Sequence, residues 1–162
     1  MKQIVRVVMA EYKAVRAPVV IISLGLGSCV GVALFDSTHK IGGLAHIMLP
    51  DSKLSTKNHF NPGKFADTAI DALLYQMIRL GAEQKNIVGK IAGGAQMFRM
   101  ISENAAMQIG KRNVEAVRYN LSRLNIKLIT EDVEGDYGRS LEFNTENGSL
   151  TIKTIGHGVK VI

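Results

Sequence analysis

The chain has 162 residues, 46% apolar and 21% charged, which excludes a disordered or fibrous protein and suits one globular domain over 1–162. Its net charge of +6 fits a solvated basic surface or an acidic protein partner, whereas scattered basic residues, no tryptophan and 6% aromatics argue against nucleic acid. One cysteine excludes an internal disulfide; charges interrupt Met1–Glu11 and no run approaches ~18 apolar residues, so a cytoplasmic protein, not integral to a membrane, is expected.

Ile4–Val8 is predicted as a first strand and Glu11–Ala17 as a loop. After Pro18, the β-branched run Val19-Val20-Ile21-Ile22 predicts a strand that ends at Ser23 and a glycine turn. Leu24-Gly25-Leu26-Gly27-Ser28-Cys29-Val30 then leads into Val30–Phe35. This run and Lys40–Met48 read as a hairpin reversing at Asp36-Ser37-Thr38-His39. A reversal centred between Ser37 and Thr38 sets Cys29 opposite His46, with Cβ atoms roughly 4.5–5.5 Å apart. That is the arrangement a Cys–His nucleophile pair requires.

The same register puts Cys29, Gly31, Ala33 and Phe35 on one face with Leu44 and His46. Val30, Val32 and Leu34 share the other with Ile41, Gly43 and Ala45. Both faces are mainly apolar, so the sheet is expected to lie between two layers. Taken alone, Cys29 also fits a small buried hydrophobe, and a one-residue slip would separate the pair. Gly25 and Gly27 allow positive φ and close backbone approach, which favours a site over a plain core strand.

Beyond Leu49-Pro50, Asp51–His59 is a polar loop bordering the expected cleft. A helix is predicted over Lys64–Leu80, with Ile70, Leu73, Leu74, Met77 and Ile78 as its apolar stripe and Gly81 as its stop. A strand over Ile87–Ala92 opens into Gly93-Gly94, which lacks the Lys-Ser/Thr of a phosphate loop and reads as close packing beside the cleft. Phe98 and its neighbours read as a protein-binding surface. A second helix, Lys111–Leu124, carries Val114, Val117, Leu121 and Leu124 on one face. Strands follow over Ile126–Thr130, Ser140–Asn144 and Leu150–Lys153, with Asn147-Gly148 turning between the last two. His39, His46, His59 and His157 offer no metal-ligand spacing with the one cysteine, and neither metal nor cofactor is expected. Many strands with two principal helices predict a layered α+β domain with mixed or antiparallel sheets, not a doubly wound nucleotide fold.

Several segments, in order along the chain, resemble the CheD family of chemoreceptor glutamine deamidases. They are Leu24–Val30, Gly43-Leu44-Ala45-His46-Ile47-Met48-Leu49-Pro50, Pro62-Gly63-Lys64-Phe65-Ala66-Asp67, Lys90–Phe98, Ile109-Gly110-Lys111-Arg112-Asn113-Val114 and Gly135-Asp136-Tyr137-Gly138-Arg139-Ser140. The resemblance implies a three-layer α/β sandwich similar to the deamidase domain of cytotoxic necrotizing factor toxins. It implies cofactor-free hydrolysis of glutamine side chains on chemoreceptor cytoplasmic helices, with Cys29 as nucleophile and His46 as base. The third, orienting hydroxyl falls on Ser23, where serine stands in place of the threonine expected in many members. The resemblance further implies binding and stimulation of CheC, a phosphatase of the response regulator CheY. Two other readings are carried: a non-catalytic module regulating that phosphatase, and another Cys–His acyl-transfer enzyme.

Overall fold

The computed structural model describes residues 2–97 and 108–162. Among them, ten strands form two mixed five-stranded sheets, accompanied by two α-helices, an α+β fold. The strands are β1 (Gln3–Arg6), β2 (Tyr12–Arg16), β3 (Val19–Leu26), β4 (Val30–Asp36) and β5 (Ile41–Ile47), then β6 (Ile87–Gly93), β7 (Lys127–Val133), β8 (Arg139–Asn144), β9 (Leu150–Thr154) and β10 (Gly158–Val161). The helices are α1 (Ala66–Leu80) and α2 (Ile109–Arg123). The central sheet runs β2-β5-β4-β6-β7 and the outer sheet β1-β3-β8-β9-β10. Among these described strands, β1–β3 and β6–β7 pair in parallel and the other pairs are antiparallel.

The three layers follow from the two apolar faces of β4 and β5, which are buried throughout their lengths. Val30, Val32, Leu34, Ile41 and Ala45 pack with Ile70, Leu73 and Met77 of α1 and Val114, Val117 and Leu121 of α2. Cys29, Ala33, Phe35 and Leu44 on the opposite face meet Ile21, Leu26, Leu141, Phe143 and Ile152 of the outer sheet. Fully burying each Val, Leu, Ile or Phe contributes ~1.5–3 kcal/mol. This double coverage holds helices, central sheet and outer sheet together. Ile78, expected in the stripe of α1, is instead 44% exposed. The helix presents its core face through Ala66, Ala69, Ile70, Leu73, Leu74 and Met77. Gly81 ends it, its N–H donating to the Ile78 and Met77 carbonyls.

Several boundaries differ from expectation. Tyr12–Arg16, read as loop, is an edge strand of the central sheet, antiparallel to β5. Its half-buried alternation carries too few apolar residues to stand out as a strand. β3 does not stop at Ser23 but continues to Leu26 through a bulge, where the pairing with β8 shifts by one residue between Ser23 and Leu26. Gly25, at φ +72°, takes up the extra residue, so Ser23 and Leu26 both face inward while Leu24 is exposed. β10, unread in the sequence, is exposed along its length and adds only an edge.

The hairpin register also differs. Gly31, not Cys29, lies opposite His46. The reversal occupies Ser37–Lys40, because Asp36 is the last strand residue and its carboxylate accepts from the N–H groups of Thr38 and His39. Moving the turn by one residue slides the pairing by two, and a two-residue slip preserves faces. The predicted face partition therefore stands. Phe98, read as part of a binding surface, lies outside the described residues.

Candidate active site

The site is assembled where both sheets converge on the end of β4. Period-two alternation in β3 points Ser23 inward after Val19 and Ile21, and it is fully buried. In β5 the same alternation sends His46 into the inter-sheet space beside Leu44, leaving it 1% exposed. Their side chains meet across the gap between the sheets, with Ser23 Oγ 2.8 Å from His46 Nδ1. Cys29, at the entry to β4, keeps 7% exposure and belongs to the same inter-sheet cluster. It lies two residues before Gly31, on the face of His46. In an antiparallel ladder such diagonal neighbours are about 7–8 Å apart at Cα and somewhat closer at Cβ.

Hydrogen-bond bookkeeping assigns the imidazole tautomer. Ser23 Oγ donates its one proton to the Val7 carbonyl at 2.7 Å, since a carbonyl can only accept. Oγ must then accept from His46, so Nδ1 carries the proton. Nε2 is left with its lone pair, buried and without a hydrogen-bond partner among the described residues. The β1–β2 connection holds this arrangement from behind. Val7 N–H donates to Ile22 in the outer sheet, while Ala10 and Glu11 exchange backbone hydrogen bonds with His46 in the central sheet. The Val7 carbonyl was invisible in the sequence because no side chain marks it.

Burial dominates the electrostatics. It lowers the His46 imidazole to about 4 and raises the Cys29 thiol above its ordinary value, its own backbone N–H opposing this in part. Both shifts favour the neutral thiol and the neutral imidazole over a thiolate–imidazolium pair.

The turn carrying Cys29 is held from three sides. Gly94 N–H donates to the Cys29 carbonyl at 2.8 Å and Ala95 N–H to that of Gly27 at 2.9 Å. Gly93 and Gly94 have φ of +118° and +68°; a Cβ on Gly93 would collide with the Cys29 carbonyl, and one on Gly94 with Val114. From α2, buried Asn113 donates to the carbonyls of Ser28 and Met48. Arg139, 2% exposed, lies over the Tyr137 ring at 4.6 Å and donates to the Gly93 carbonyl at 3.4 Å. Asn113 was quoted in the sequence only within a family segment. Its signal was a polar residue on the apolar face of α2, one turn before Val117.

The other histidines lie elsewhere. His39 bonds Asp36 at the far end of the hairpin, His59 is exposed, and His157 stacks on Tyr137 with 4.1 Å between ring centroids. Among the described residues, no three His, Cys, Asp or Glu side chains converge as metal ligands. Nor is any described helix long and apolar enough to cross a membrane.

Residues 48–154 match the family model described as CheD chemotactic sensory transduction. The chain belongs to the CheD family. This CheD-family chain is 49% identical, over its full length and that of the relative, to the chemoreceptor glutamine deamidase CheD of Halalkalibacterium halodurans. It is 48% identical to the probable chemoreceptor glutamine deamidase CheD of Caldanaerobacter subterraneus, over 99% of this chain and 98% of the relative. Among solved structures, the hypothetical protein YfiH of Bacillus licheniformis is similar over 75% of this chain and 49% of its own, with 12% identity and a TM-score of 0.47. The family-model match begins at Met48, two residues past His46, while the match to the Halalkalibacterium halodurans relative spans Ser23, Cys29 and His46.

Proposed function

We propose that this protein is a chemoreceptor glutamine deamidase of the cytoplasm in which Cys29 is the nucleophile, His46 the base and Ser23 the residue that orients the imidazole. The observation that carries the reading is the relay from His46 Nδ1 through Ser23 Oγ to the Val7 carbonyl. It leaves Nε2 as a free base on the face shared with Cys29. Family membership and the names of the full-length relatives support the substrate class.

In the proposed reaction the Cys29 proton passes to Nε2 as the sulfur bonds to the glutamine side-chain carbonyl carbon. The oxyanion is received by backbone N–H groups at the Cys29 turn. Protonated Nε2 gives its proton to the departing ammonia, leaving a thioester. Water then attacks, losing a proton to Nε2, and collapse returns the thiol and releases glutamate. The net change is glutamine plus water to glutamate plus ammonia. Ser23 stabilises the imidazolium by continuing to accept from Nδ1–H. CheC-type phosphatase binding, implied by the family resemblance, belongs to the same proposal. A phosphatase surface occupying the cleft would compete with receptor.

Incubation with a purified receptor cytoplasmic fragment tests the reading. Wild type is expected to add about one dalton at specific glutamines, the replacement of NH2 by OH. Cys29→Ala, with an unchanged near-ultraviolet circular dichroism spectrum, is expected to abolish it. Normal deamidation by that variant would remove Cys29 from the mechanism. Wild-type inactivity with tight phosphatase binding would favour the non-catalytic module.

A further inference from the structure

We infer that Asn113 is a positioning residue that sets the separation of Cys29 from His46. This rests on the proposed thiol–imidazole chemistry and names a residue through which the fold would maintain it. The β4–β5 ladder ends at Val30 opposite Ile47. Just beyond, Ser28, two residues before Val30, and Met48, one after Ile47, each present a carbonyl, and two acceptors cannot bond each other. The single side-chain nitrogen of Asn113 has two protons and donates one to each, both at 2.9 Å. It thereby ties the segment entering the site to the segment leaving it. The sulfur is one residue from the first tethered carbonyl, and the imidazole two residues from the second.

Two further observations point the same way. Asn113 is fully buried, and its Oδ1 has no hydrogen-bond partner among the described residues. Burying an amide on the apolar face of α2 costs desolvation, so the two bonds its nitrogen donates are what this position supplies. The surrounding packing also brings α2 close enough for the short side chain to reach. A Cβ on Gly110 would collide with the Ala95 carbonyl, and Gly94 meets Val114 and the Gly110 carbonyl. The glycines at 93, 94 and 110 and the asparagine at 113 thus serve one clamp, closed on the nucleophile turn from the helix layer.

The test combines turnover with a measurement that needs no receptor. Asn113→Ala is expected to lower kcat by roughly 30-fold with KM within about threefold, because geometry is lost and substrate binding is not. In parallel, iodoacetamide alkylation of Cys29 is followed at pH 7.5 (about one unit below a free thiol's pKa) in wild type, His46→Ala, Asn113→Ala and the double variant. His46→Ala is expected to slow alkylation in the wild-type background and to change it by less than about twofold once Asn113 is replaced. Should Asn113→Ala fail to fold by circular dichroism, Asn113→Ser carries the same cycle, since one hydroxyl proton serves only one of the two carbonyls. A folded variant with wild-type kcat, or an undiminished His46 effect on alkylation, overturns the assignment. If wild type never deamidates, the proposed function fails, while the alkylation cycle still decides whether Asn113 couples the pair.

Discussion

Ser23 shows how much chemistry one buried hydroxyl can organise. Its proton is committed to Val7 and its lone pair to His46, so the imidazole has one tautomer available while both bonds stand. Ser23→Ala removes this buried acceptor from Nδ1–H, so that either ring nitrogen can then carry the proton. Steady-state deamidation by this variant is expected to show kcat reduced roughly 10–100-fold, less than loss of the proposed base His46, for which general acid–base catalysis sets about 10²–10⁴. A Ser23→Ala enzyme with wild-type kcat would separate the relay from turnover. Cys29 and His46 stood out in the sequence as the lone thiol and a histidine on the same expected face. The donor and acceptor roles did not, because they depend on a backbone carbonyl sixteen residues from Ser23.

Among the elements, the β4–β5 hairpin shows best what was legible and what was not. Alternation of Val30, Val32 and Leu34 with Ala33 and Phe35 was enough to assign faces, so the apolar partition and the layered class were correct. Register depends on turn chemistry, and there Asp36 decides. Its carboxylate accepts from Thr38, His39 and Glu83 N–H groups and from the His39 ring, which ties the hairpin to the segment after α1. These bonds, outweighing its burial, hold the Asp36 carboxyl below its usual range. Nothing local in Asp-Ser-Thr-His distinguishes that use of aspartate from an ordinary exposed reversal, since Glu83 is distant in sequence. Asp36→Asn keeps the shape, but its amide nitrogen cannot accept, so the two bonds to one carboxylate oxygen are lost and the two to the other lose their charge assistance. It is expected to lower the urea-unfolding free energy by about 1.5–3 kcal/mol. Because this turn lies at the opposite end of β4 from Cys29, kcat is expected to stay within about twofold below the melting range. A large fall in kcat in the folded variant would contradict that separation. The helices were read from period alone, with Ile78 misplaced at the exposed edge of the stripe, and the edge strands β2 and β10 lacked the apolar alternation that would reveal them.

For the molecule as a whole, the buried imidazole links acidity to folding. His46 has a folded value of about 4 against an ordinary 6.5. The unfolded chain therefore takes up a proton first as pH falls. The stability associated with keeping this ring neutral is fully present above pH 6.5 and is lost progressively between 6.5 and about 4. Conversion of that difference gives a loss of roughly 3 kcal/mol by the acid end of the window. Urea titrations of wild type and His46→Gln across pH 7 to 4 check it: the wild-type midpoint is expected to fall more steeply than that of the variant. Equal slopes would show that the ring titrates as freely in the folded protein as in the unfolded one. The result bears on the whole architecture because the ring is desolvated jointly by the sheets that pack over it.

The terminal acceptor of the relay is a peptide oxygen, and no amino-acid replacement at position 7 deletes it. Genetic variation can alter the Val7 side chain while leaving that oxygen in place, so scanning mutagenesis would pass over one of the atoms that orients the imidazole. An amide-to-ester exchange made by chemical synthesis at the following linkage would weaken the oxygen as an acceptor and make its contribution measurable.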